Sequence, residues 1–71
     1  MNGTKAKAIR CYLGESMEKF SKRIGVGAST ICAVENHQRE MSSLVRGKLI
    51  RIEAELPNDF FSFYEIFKNN Q

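Results

Sequence analysis

Seventy-one residues hold one small core and leave no room for a second domain. Hydrophobic residues make up 42% and charged residues 27%, too apolar for a disordered chain, and no apolar run reaches transmembrane length. Met1 to Thr4 lead into a mixed Lys/Ala stretch with no signal-peptide core, so a cytoplasmic protein is expected.

The net charge of +3 leans toward a polyanionic partner but hides a division. Met1 to Arg51 carry ten Lys/Arg against four acids, a balance of +6, and Ile52 to Gln71 carry one Lys against four acids, a balance of −3. Four of the five Phe and Tyr64 lie in that acidic last third. The two halves suggest two jobs within one fold.

There is no sustained alternation of period two, and the punctuation predicts short helices. The first runs from about Lys5 to Leu13 with Ala6, Ile9 and Leu13 inward, and ends at Gly14. Ser16 caps a second, Met17 to Ile24, with Glu18 in its first turn and Phe20 and Ile24 inward. Gly25 stops it and Val26 plugs the turn. A third starts near Gly27-Ala28 and runs to about Asn36, burying Ile31 and Val34. His37 to Ser42 reads as a loop.

Ser42 or Ser43 caps a fourth helix, Leu44 to Leu56, whose Val45, Leu49, Ile52 and Leu56 make a buried face. Gly47 weakens it by about 1 kcal/mol relative to Ala. Pro57 ends it. Asn58 caps a fifth, Asp59 to Lys68, with Phe60, Phe63, Tyr64 and Phe67 in one stripe and a frayed tail at 69–71. The fold class expected is therefore all-α, five short helices in one domain spanning 1–71.

The stretch Met17 to Asn36 has the spacing of a helix-turn-helix: inner residues at Phe20, Ile24, Val26, Ile31 and Val34, small Ser21 where helices cross, and Gly25 at the turn. With Arg10, Ser16, Gly25-Val26, Thr30-Ile31 and Glu35-Asn36 in place, the chain resembles the lambda repressor/Cro-like (Xre-type) family of small DNA-binding domains found in phages, plasmids and bacteria. The resemblance covers about Ala6 to Phe61, and five short helices are also that family's architecture. It implies a sequence-preferring transcriptional regulator binding operator DNA, with the helix at about 28–36 in the major groove. Gly27, Ala28, Ser29, Cys32 and Ala33 then match positions facing base edges or the adjoining backbone. Ser16, Met17 and Asn36 match phosphate contacts at helix ends, and Arg10 and Glu35 match a structural salt bridge.

Three departures stand out. His37 replaces the usual Gly after Glu-Asn, so either the loop bends differently or Asn36 takes the left-handed conformation. Glu15 replaces an apolar residue before the cap, and Met17 replaces a common Gln. The outward residues of the third helix also include no Gln, Asn, Arg or Lys able to bond a base bidentately. Thymine methyls, single Ser29 or Thr30 hydrogen bonds and DNA shape would carry sequence preference. Affinity would rest on phosphates, through Lys19, Lys22, Arg23, Arg39 and the loop residue His37, with Arg46 and Lys48 as further candidates.

Cys11 and Cys32 read as free thiols, and His37 is the only histidine, so no metal, cofactor or catalytic role is expected. Five aromatics on about ten residues exceed what one helix face of so small a domain can bury. Phe61, off the stripe, and Tyr64 are expected at a partner surface, with a homodimer reading a palindromic operator favoured. The alternative is a helix-turn-helix-fold antirepressor or modulator whose partner is a companion repressor. Either way the chain reads as a minimal DNA-reader fold with no separate effector or catalytic domain.

Overall fold

Local capping sets where each helix begins. In the computed structural model, which describes residues 1–70, these are α1 (Gly3–Leu13), α2 (Met17–Ile24), α3 (Ala28–Glu35), α4 (Ser43–Ala54) and α5 (Asp59–Asn69). No strand is present among the described residues, and the architecture is all-α. No helix among them is long and apolar enough to cross a membrane.

α1 starts two residues earlier than the hydrophobic pattern predicts. Asn2 is its cap, its side chain accepting from the Lys5 N–H at 2.9 Å. Gly3 is buried there because α1 begins hard against α3: a Cβ on Gly3 would collide with the Val34 carbonyl oxygen. The Ser16 hydroxyl accepts from the Lys19 N–H and caps α2. Ser42, of the two serines considered, caps α4 through the Val45 N–H.

The ends differ from expectation in three places. α4 stops at Ala54, and Leu56 leaves the helix to pack half-buried on the core. Asn58 makes no side-chain cap; the Phe60 N–H bonds to the Pro57 carbonyl instead. The tail expected to fray, 69–71, begins at the last residue of α5. α5 continues through Asn69, and the Asn70 amide donates to the Ile66 carbonyl at 2.8 Å. Gln71 lies outside the described residues.

The core takes a residue from every helix: Ala6, Ala8 and Ile9 of α1, Phe20 and Ile24 of α2, Ile31 of α3, Val45 and Leu49 of α4, and Phe60 of α5. Burying each large side chain contributes about 1.5–3 kcal/mol. α1 is the central helix, packing on α3 and α5, while α2 packs on α3 and α4. Leu13 and Ile52, predicted to be buried, are only half-buried, and so are Phe63, Tyr64 and Phe67 of the aromatic stripe. The reason is geometric for α5: its principal partner is α1. Its aromatics stack along one another and against Tyr12 instead of being enclosed, with Tyr12–Phe60 and Tyr12–Phe63 meeting edge-on at 5.3 Å.

Candidate nucleic-acid interface

The α2–α3 pair is built on small residues. Ser21 is buried and its hydroxyl donates back to the Glu18 carbonyl at 2.7 Å, leaving no bulk between the helices. Gly25 adopts φ +88, the left-handed conformation that ends α2, and the Val26 N–H returns to the Ser21 carbonyl. The Ile24 carbonyl, left free where α2 ends, is taken by the Lys48 ammonium of α4 at 2.8 Å. α3 then starts at Gly27 with no side-chain cap, so its first amides are left for another acceptor.

On the outer side of this pair Lys19, Lys22, Gly27 and Ser29 are exposed, and Ala28, Thr30, Cys32 and Ala33 are half-buried. Lys19 and Lys22 make no side-chain ion pair among the described residues. Ser16 lies at the amino end of α2, exposed, beside Met17, which is half-buried and packs on the core. The Asn36 amide donates to Cys32 Sγ at 3.4 Å, so these two residues hold one another at the end of α3. Arg39 is exposed in the following loop. Arg39, His37 and Arg46 line an open cleft of about 420 Å³ that also includes Met1 and Met41.

A buried ion network fixes α1 against both helices. Arg10 donates through Nε and its terminal nitrogen to the two oxygens of Glu35, at 2.8 and 3.0 Å. Its other nitrogen donates to the Glu15 backbone carbonyl at 3.2 Å. The Glu35 side chain is 2% exposed and that of Arg10 14%, and the hydrogen bonds from Arg10 to Glu35 push the Arg10 pKa up. Glu15 is buried too, where an apolar residue was the norm by resemblance. It stays charged because Arg23 wraps it with hydrogen bonds, which hold its carboxyl below the ordinary glutamate range against the opposing effect of burial.

Four of the candidate residues are held in ways the sequence did not specify. Arg23 is bound to Glu15, with 45% of its side chain still exposed, and Lys48 is bound to the Ile24 carbonyl. His37, not Asn36, takes the left-handed conformation, at φ +61, while Asn36 lies at φ −93. His37 Nε2 sits 3.3 Å from Thr4 Oγ1, placing the ring on α1 beside the cleft. Tyr64 does not form an exposed patch with Phe61: its ring stacks on Phe60, with Lys5 and Lys68 each 5.4 Å from its centroid. Phe61 alone of the two is exposed, at 63%.

Three features lay outside the sequence reading: the Glu15–Arg23 pair, the Lys48 cap on α2, and the exposure of Leu44, Ile50 and Ile66. The oddity of Glu15 before the cap was the available signal for the first. Among the described residues no three His, Cys, Asp or Glu are placed to hold a metal ion, and Cys11 and Cys32 are unpaired thiols. No protein family, characterised protein or solved structure matches this chain in sequence or fold comparison.

Proposed function

We propose that the chain is a helix-turn-helix transcriptional regulator of the lambda repressor/Cro-like type, binding duplex DNA with α3 in the major groove. The observation that carries this reading is the outer side of α2–α3. There the residues of α3 are small, Ser29, Ala28 and Ala33, Lys19 and Lys22 of α2 are exposed with no ion pair among the described residues, and α3 begins without a side-chain cap. Arg39 extends that basic rim. Thr30, Cys32 and Asn36 border the same side; Gly27 and Ser16 offer backbone amides at the starts of α3 and α2. Phosphate contact dominates affinity, and sequence preference is modest because the small side chains give apolar and single-hydroxyl contacts. The chain acts as a homodimer on a palindromic operator, paired through the exposed side of α5.

Fluorescence anisotropy with DNA flanking its own gene tests this. Nanomolar binding that weakens steeply with salt is expected; binding no tighter than to unrelated DNA at low salt refutes it. The exposed Phe61 favours a second reading, a modulator that binds a companion repressor. Capture of the neighbouring regulator, unchanged by Lys19→Ala and Lys22→Ala but lost with Phe61→Ala, would select that reading.

A further inference from the structure

The outer side of α4 carries a dent that DNA contact does not use. Gly47 lies at its floor, inside the helix, where glycine is destabilising. A Cβ at Gly47 would meet nothing within 4 Å, so no packing within the chain demands glycine there. Ser43, Leu44, Lys48 and Arg51 wall a hollow of about 350 Å³ around it. Leu44, Gly47, Lys48 and Arg51 fall at i, i+3, i+4 and i+7, one helix face. Leu44 is 63% exposed, a large apolar side chain held in water. Neither Lys48 nor Arg51 has an ion-pair partner among the described residues, and because Lys48 turns its ammonium to the Ile24 carbonyl, Arg51 is the cation of this face left without a bond of either kind.

α5 presents a counterpart. Phe61 stands out from it, and Glu65 follows one turn later on the same face, also exposed and held only by a surface ion pair with Lys68 at 3.1 Å, a contact weak enough to exchange. The two helices are opposite in charge: α4 holds Arg46, Lys48 and Arg51 against Glu53, a balance of +2, and α5 holds Asp59 and Glu65 against Lys68, a balance of −1. α4 therefore offers α5 a surface of opposite net charge, which a second α5 does not.

We propose that α5 of one copy docks in the α4 dent of a second copy, with Phe61 over Gly47 against Leu44 and Glu65 reaching Arg51. Gly47 to Arg51 and Phe61 to Glu65 each span four residues, one turn, so both contacts form together when the helices run in the same direction. Each copy owns both surfaces, and two such contacts about a two-fold axis close a dimer. The inference rests on the self-association in the functional reading above and names the surface that receives α5.

Sedimentation equilibrium of the full chain without DNA, over a range of concentration, tests it. Gly47→Leu fills the dent while supplying a better helix former. Its melting temperature is expected to rise or hold while dimerisation weakens about tenfold or more, a combination misfolding does not produce. Arg51→Glu and Glu65→Arg are each expected to weaken dimerisation about tenfold, and an equimolar mixture of the two, or both changes in one chain, to restore it. A dimer indifferent to Gly47→Leu and Arg51→Glu, but sensitive at Phe61 or Glu65, would mean that α5 pairs with α5 and would overturn the proposal. A monomer at every concentration would overturn it too. With no DNA present the outcome is separable: a dimer of this kind that ignores DNA refutes only the regulator, and a DNA-binding monomer refutes only the dimer.

Discussion

Replacing Arg10 by Met removes the guanidinium and leaves its neighbours in place. Glu35 then keeps a charge on a side chain that is 2% exposed, having lost both hydrogen bonds, and the Glu15 carbonyl loses one more. An orphaned buried charge of this kind costs about 3–5 kcal/mol. A domain of this size has a total stability of about 4–11 kcal/mol. The loss corresponds to a fall in melting temperature of about 12–40 °C, at about 4–8 °C per kcal/mol. Circular dichroism melts and urea titrations measure it. The double variant Arg10→Met/Glu35→Leu removes the orphan as well as its partner, and is expected to recover most of the loss, leaving about 1 kcal/mol for the Glu15 carbonyl. A cost below about 1 kcal/mol for Arg10→Met, or a double variant no more stable than the single one, would refute the claim that this pair is a buried, mutually dependent unit.

Lys22→Ala is expected to lower the slope of log K against log salt by about 1 in a DNA titration. Arg23→Ala is expected to leave that slope alone and instead cost about 1–2 kcal/mol of folding stability, a modest figure because the Arg23 side chain is itself 45% exposed. The Glu15 carboxyl is depressed in the folded chain, so its contribution is present above the ordinary glutamate value of 4.5 and is lost as pH falls through the lower folded value. Melts of the parent and of Glu15→Gln should therefore converge on acidification below pH 4.5; a constant gap would contradict the pairing with Arg23. Gly25→Ala forces an L side chain into φ +88 and toward the Lys48 ammonium, 2.9 Å from the new Cβ. It is expected to cost about 1–2 kcal/mol in a urea titration, with Gly14→Ala, which meets no atom, showing backbone strain alone.

The span of α2 was legible to the residue, because Ser16 and Gly25 are local signals that need no tertiary partner. The start of α1 was not: Asn2 lies ahead of the hydrophobic stripe, and the reason Gly3 follows it is the Val34 carbonyl, 31 residues away in sequence. At the candidate site, periodicity placed Lys19 and Lys22 outward because Phe20 and Ile24 point in. It could not separate Arg23 from them, since its partner depends on how the α1–α2 turn folds back. Resemblance named Arg10 and Glu35, and the structure brings them together; composition alone offered no way to choose them from 11 basic and 8 acidic residues. For α5 the stripe was readable and its depth was not. Period 3.6 says which residues share a face, and only the neighbouring helix says how far they are covered.

The packing of α5 on α1 also has a kinetic meaning. Tyr12 reaches Phe60 and Phe63, and its hydroxyl donates to Asp59 at 2.6 Å, so contacts spanning some two-thirds of the chain join its first helix to its last. During synthesis at about 5–20 residues per second, α1 to α4 emerge before the aromatic surface that covers α1 exists. The central helix therefore waits seconds with Ile9 and Tyr12 short of a partner, and folding ends only when the loop between them closes. A chain arrested near Pro57 carries every residue of the candidate DNA surface yet lacks Phe60, the α5 member of the core. Proteolysis or a chaperone would meet it as an unfinished domain, which makes α5 a check on whether the α2–α3 part is allowed to persist.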